Sequence, residues 1–298
     1  MRTLFPGTLL LAAVLPLLAD GQSSRATCDP SRIDPVSYRL VTEAQALNVT
    51  RPRDEWWDAF FINTHVSDLD DLNDTATWLA ARARDLDDRN LLAHALLARQ
   101  HVVTGEEASL ADEAWRRTLD AGGAVVWTAT LYDVDGRSFF LMAFDRRAIR
   151  IYRMGQFVRA RATSHGVPQF PGPEAEPFWR AWGGCVDPAI VPAAEVPWAD
   201  VSEIKAGNWV LWFTLTRPIE VTSDRGKRKR LKEIKVNLHG ATGEVQMHPV
   251  FNGARIVGWS GIGLGPAFYQ ERVRRTIVKF VDPDGRIRLP KQKRGAGW

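Results

Sequence analysis

Cysteine is almost missing from this chain, with 2 in 298 residues, and histidine is thin at 6. Those counts exclude a four-ligand zinc cage and a disulfide-dense small scaffold. His94 and His101 share one predicted helix, where a spacing of seven residues sets their Cα atoms about 10.5 Å apart. One metal ion cannot comfortably use both. Long apolar runs are also missing. Leu9–Leu18 is apolar, but Pro16 lies within it, Pro6 precedes it, and a lasting membrane helix needs about 20 such residues.

Catalytic signatures are missing too. Gly258-Trp-Ser260-Gly261 has a glycine two places before the serine but Ile262 two places after it, so the nucleophile elbow is incomplete. The glycines from Gly261 to Gly265 lack the lysine and hydroxyl of a phosphate loop. They read as a connection ahead of a helix starting at Pro266. The acidic stretch from Asp68 has Leu72 and Asn73 where an EF-hand needs an oxygen ligand and a glycine, and Leu79 in twelfth place. It reads instead as a helix start capped at Asn73, Asp74 or Thr75. No catalytic residue, metal ligand or cofactor is expected.

What is present begins with an export signal. Residues 1–21 combine Arg2, the apolar Leu9–Leu18 and a polar turn at Asp20-Gly21, with cleavage after Ala19 or Ala26. The expected location is secreted or periplasmic, with no transmembrane helix in the mature chain. In an oxidising compartment Cys28 and Cys185 either pair, tying the N-terminus to mid-chain, or stay two separately buried thiols.

The reading divides the mature chain into an extended segment at 22–52, a helical module at 53–122 and a β-rich domain at 123–298. Leu91, Ala95, Ala98 and Val102 recur at helical spacing and Gly105 ends that run. A second helix runs from Ser109 to Gly122. Another starts near Thr75, and Asp54–Val66 supplies a fourth. Around Ala98, Gly105, Ala111 and Trp115 the chain resembles a tetratricopeptide repeat, and residues 75–121 cover that likeness. Asp88 replaces the usual proline, the loop is about one residue long, and no third repeat is readable. The resemblance implies helical hairpins that hold peptides or partner proteins.

From Gly123 the apolar period becomes two. A hairpin turns at Asp133–Gly136, Arg147–Gly155 and Asn208–Leu215 read as strands, and Ile234, Val236 and Leu238 alternate inward. Arg275–Phe280 also reads as a strand. Between these lies a proline-rich excursion at 163–200, with one short helix carrying Phe178, Trp179 and Trp182. The fold class is therefore α+β: tetratricopeptide-like helical hairpins followed by a mostly antiparallel β domain.

Charge is uneven. Arg217–Trp298 holds 18 Lys and Arg against 7 Asp and Glu, whereas the helical stretch is acidic. The densest run, Lys227, Arg228, Lys229 and Arg230, falls at a hairpin tip. Its two readings are a solvated edge guard and a docking patch for an anionic glycan or lipid. No nucleic-acid partner is expected for an exported protein. Trp179 and Trp182 are candidate sugar-stacking residues, or else cap the sheet's core. The leading expectation is a non-enzymatic binding or scaffolding protein whose helices contact protein. The alternative is an exported glycan enzyme with acids among Glu174, Glu176 and Asp187.

Overall fold

The computed structural model describes residues 26–49, 67–104, 108–135, 138–157, 176–207, 210–238, 245–252, 255–263, 269–282 and 284–290. The signal-like residues 1–21 and the helix expected at 54–66 lie outside them. Within them the chain is an α+β protein with six α-helices and a seven-stranded antiparallel sheet.

Part of the segment expected to be extended is helical. Helix α1 spans Pro35–Val49. Asp34 caps it, its Oδ1 accepting from the Val36 and Ser37 amides at 2.9 Å each, and Pro35 takes the first helical position. Ser37, Val41, Ala44 and Gln45 form its buried stripe. Helix α2 spans Ser67–Leu86 and begins well before Thr75, so the residues proposed as its cap lie inside it. Ala76, Ala80 and Ala83 let α1 approach α2 closely, and Ser37 Oγ donates to the Ala83 carbonyl at 2.6 Å.

Asn90 caps α3, Leu91–Thr104, through its Oδ1 and the Ala93 amide. Residues 91–102 of α3 are buried all round. Helix α4, Ala108–Asp120, ends where the Gly122 and Gly123 amides donate to the Leu119 and Thr118 carbonyls, with Gly122 at φ +82°.

The sheet is built from β1 Val125–Leu131, β2 Phe139–Phe144, β3 Ala148–Arg153, β4 Ala194–Pro197, β5 Val201–Ala206, β6 Leu211–Thr222 and β7 Arg228–Leu238, in the order β4-β3-β2-β1-β7-β6-β5. The expected β1–β2 hairpin is present, with Val125 opposite Phe144 and Thr130 opposite Phe139. Strands β4 and β5 are opposite edges, yet only Trp198–Asp200 separates them. A flat seven-stranded sheet would put its edges about 29 Å apart, whereas this connection reaches about 14 Å. The sheet therefore curls toward a barrel. Phe144 of β2 meets Phe213 of β6 across the curl at 6.1 Å and stacks near Trp198 at 6.3 Å. The β5 edge is extended by Arg288, whose amide and carbonyl bond Ser202 and Ile204 at 3.0 Å each.

Beyond β7, the strands β8 Val245–Asn252 and β9 Arg255–Gly263 form a separate hairpin. Gly261 and Gly263, read as part of a connection, thus lie in a strand, with Ser260 opposite His248 in mid-ladder, while residues 264–268, including the helix start expected at Pro266, lie outside the described residues.

Arg275–Phe280 is not a strand. It lies in helix α6, Tyr269–Val281, after the short α5, Glu176–Trp182. Val273, Ile277 and Val281 recur every fourth residue and are buried, which overrides the β preference of the local Thr-Ile-Val run. Helix α6 lies against α3, α4 and β5. Phe280 stacks on Trp115 at 6.2 Å, Lys279 pairs with Asp112, and Arg272 Nε donates to the Val102 carbonyl at 2.7 Å. Some of the C-terminal positive charge thus docks onto the acidic helices of the same chain.

Candidate functional site

The β6–β7 turn is tightly built. Gly226 adopts φ +76°, and Ser223 and Lys227 bond through their backbones at 2.9 Å. Ser223 is buried, and its Oγ accepts from the Arg225 and Lys227 amides at 3.3 Å each. Beneath lies Asp135, a buried carboxylate in the β1–β2 turn that accepts from Ser138 Oγ at 2.8 Å. Lys227 Nζ stands 3.5 Å and Arg225 Nε 3.9 Å from it. The Gly155 amide holds Asp224 at 2.7 Å.

The predicted tetrad therefore splits. Lys227 is tied to buried Asp135, and Arg228 pairs with Glu220 at 3.1 Å. Lys229 and Arg230 are exposed and have no acidic partner among the described residues. Lys232, which the sequence reading passed over, is in the same condition. A bulge explains its place: four residues, Leu215–Pro218, stand opposite Lys232 alone. Before the bulge Ile234, Val236 and Leu238 are buried; after it the buried residue is Leu231. The parity change leaves Arg228, Arg230 and Lys232 exposed at alternate positions, about 7 Å apart along the strand. Counting alternation backward from Ile234 could not have found this, because the bulge sits in the partner strand.

Trp179 and Trp182 are not on an open surface. They are 4% and 2% exposed, and Trp179 meets Phe178 at 5.2 Å and Trp182 at 6.2 Å, edge to face in both cases. Trp198 is buried as well, its Nε1 donating to the Asp145 carbonyl at 2.8 Å. Of the acids in the glycan-enzyme reading, Asp187 caps the Ala189 amide at 2.9 Å, while Glu174 and the Glu176 side chain lie outside the described residues.

At the α5 terminus the cysteine pairing offered by the sequence is present, and beside it lies Arg99 of α3, which the sequence reading missed. Cys185 pairs with Cys28, Cα to Cα 5.6 Å. Gly184 takes φ +86°, and the Gly184 and Cys185 amides close the helix on Ala181 and Arg180. That motif leaves the Trp182 carbonyl free for Arg99. The guanidinium of Arg99 is buried, Nη1 donating to Trp182 O at 3.1 Å and Val126 O at 2.9 Å, with Cζ 3.3 Å above the Trp182 ring centroid. Desolvation holds its pKa well below the usual arginine value. Nothing in the α3 pattern marks Arg99, because its partners lie 27 and 83 residues away.

Among the described residues no three His, Cys, Asp or Glu side chains are placed to hold a metal ion. His94 is buried, its Nε2 at 2.8 Å from the Asp88 carbonyl and 3.4 Å from the Asp88 carboxylate. Burial pushes its pKa below the ordinary 6.5, Arg117 and Arg84 push the same way, and Asp88 offsets them only in part. The unfolded chain therefore binds this proton first, and the contribution, complete above pH 6.5, is lost as pH falls toward the folded value. We expect urea midpoints to fall between pH 7.5 and 5, and His94→Gln to flatten that slope. An unchanged slope in the variant would assign the acid sensitivity to other groups.

The chain matches no known protein family, no curated protein and no solved structure.

Proposed function

We propose that this chain is an exported, non-enzymatic binding protein that holds an anionic glycan on the outer face of its β6–β7 hairpin. The observation that carries the reading is the set of cations at the start of β7: Arg230 and Lys232 lie on one face of the strand and Lys229 on the other, all exposed and without an acidic partner among the described residues, beside a turn fixed by Asp135, Ser223 and Gly226. A solvated edge guard needs no rigid base. Export is supported by the signal-like residues 1–21 and by the Cys28–Cys185 bond, which persists in oxidising compartments. No helix among the described residues is long and apolar enough to cross a membrane.

The helices α2 to α4 form the tetratricopeptide-like module in this reading and contact a protein. Trp78 on α2, 64% exposed, together with exposed Leu86 at the end of α2 and Leu110 on α4, supports that role, since large apolar side chains at a surface favour protein contact.

The test is retention on a sulfated-glycan resin across a salt gradient. Exposed ion pairs contribute about 0.5–1 kcal/mol each. The variant with Lys229→Gln, Arg230→Gln and Lys232→Gln is therefore expected to bind about ten- to a hundredfold more weakly at low salt. The difference should vanish near 1 M salt, where charges are screened beyond about 3 Å. Its Tm should stay within about 1 °C, as for other surface changes without lost contacts. Unaltered retention would overturn the reading, and retention on anionic vesicles with none on the glycan would move the partner to lipid.

A further inference from the structure

With Trp179 and Trp182 buried, the aromatic side chains open to a ligand lie elsewhere on the sheet. Ladder register sets Lys205 of β5 opposite Trp212 of β6, and Trp212 opposite Lys235 of β7. Tyr132, one residue past β1, follows, its amide donating to the Lys235 carbonyl at 3.1 Å. Cross-strand partners share one face of a sheet. Lys205, Trp212, Lys235 and Tyr132 therefore make one row across four strands, on the face opposite the buried Phe213, Ile234 and Val236.

The row is held in place. Trp212 lies across Gly207, where a Cβ would stand 2.8 Å from the indole Cη2, so the glycine leaves the room that the ring uses. Tyr132 is 44% exposed, and the Asn237 side chain bonds its hydroxyl. Lys235 Nζ lies 5.7 Å from the Tyr132 ring centroid, within reach of cation–π attraction. The two aromatic positions are two strands apart, about 10 Å, with the Lys235 position between them.

The neighbouring row carries Glu203 and Glu233, joined through Thr214. Lys205 reaches them at 2.9 and 3.8 Å, and Arg288 reaches Glu203 at 3.3 Å. Those four charges cancel. Lys235 has no acidic partner among the described residues and is the charge left over. Packing explains Trp212, since an aromatic ring over a glycine covers bare backbone. It gives no reason for an exposed phenol beside an unpaired ammonium in the same row.

We propose that this row holds an acidic glycan in which a carboxylate recurs on every second sugar. The chain runs across the strands, sugar rings against Trp212 and Tyr132 and the carboxylate on Lys235. The C–H face of a hexopyranose fits the negative face of an aromatic ring. The distance between the two aromatic positions is close to the length of a disaccharide, and one uncancelled lysine matches one carboxylate per disaccharide. The inference deepens the hairpin reading and rests on it only in taking the partner to be an anionic glycan.

The probe is a hyaluronan octasaccharide, compared with polyglutamate of equal charge by titration at low salt, on the full disulfide-bonded protein. The octasaccharide is expected to bind at least about tenfold more tightly. Tyr132→Ala and Trp212→Ala should each weaken it about tenfold or more and leave polyglutamate unchanged. Lys235→Gln should weaken both by about two- to fivefold. If Trp212→Ala fails to fold, the exposed Tyr132 decides alone. The variant with Lys229→Gln, Arg230→Gln and Lys232→Gln separates the two sites. Octasaccharide binding lost there but intact in Tyr132→Ala overturns the row and leaves the hairpin; the reverse overturns the hairpin and leaves the row. Equal wild-type affinity for the two polymers, or tighter binding of single-stranded polyuridylate than of the octasaccharide, would also overturn the proposal.

Discussion

Replacing Cys28 and Cys185 together with alanine is expected to destabilise the fold by about 5 kcal/mol, the chain-entropy value for so long a closed loop, with the two residues 157 apart in sequence. For a chain of this size that corresponds to a Tm loss of more than about 10 °C. The location of the bond argues for the full effect. On one side, the Thr27 amide and carbonyl bond Arg89 and Leu91 at 2.6 and 3.2 Å, clamping residues 26–28 to the α2–α3 turn. On the other, Cys185 ends α5, whose Phe178, Trp179 and Trp182 are buried. The bond thus joins the helical layer to the proline-rich excursion. Hydrogen exchange should report opening first at residues 176–190 in the alanine double variant. A loss below about 1 kcal/mol would show that Arg99 and the glycine contacts hold that junction unaided.

That junction also marks the boundary of what sequence alone can give. The β1–β2 hairpin was readable because Asp133–Gly136 announces its turn and apolar residues alternate on both sides. The inward alternation of Ile234, Val236 and Leu238 was readable for the same reason. Both are local patterns. Helix α6 was misread because Val273, Ile277 and Val281 make a period of four only when the window extends beyond Arg275–Phe280, the span taken as a strand. Helix α1 was missed because its buried stripe mixes Ser37 and Gln45 with Val41 and Ala44, and polar residues mask the period.

The functional features depend on long-range contact. The tetrad was found as a charge run, but its division into paired and unpaired members rests on Asp135, Glu220 and a bulge in another strand. Lys232 joins the row only through that bulge. In sequence Arg99 is one arginine in a helix surrounded by apolar residues. Its burial becomes legible only when Trp182, far along the chain, lies against it. The charge asymmetry of the C-terminal part overstates what faces outward, because Lys279 pairs with Asp112 and Arg288 with Glu203.

Glycine provides the second large test. Gly184→Ala is expected to cost about 3–5 kcal/mol, and Gly226→Ala only about 1–2 kcal/mol. Both residues hold positive φ, +86° and +76°, so both substitutions incur the left-handed penalty. They differ in surroundings. A methyl at Gly226 meets nothing within 4 Å, whereas at Gly184 it drives into the Ala124 carbonyl oxygen and lies 2.9 Å from Ala95 Cβ. Neither neighbour can yield cheaply: the Ala124 amide is bonded to Gly184 O, and Ala95 belongs to buried α3. The alanine must therefore push the α5 terminus away from α3, carrying Trp182 off the Arg99 guanidinium. Urea unfolding of the two variants, with unchanged m-values, separates the steric part from the dihedral part. Gly184→Ala should in addition lose near-ultraviolet ellipticity, while Gly226→Ala keeps it. Equal losses in the two variants would mean that α3 and α5 are not in the close contact on which the stacking of Arg99 over Trp182 depends.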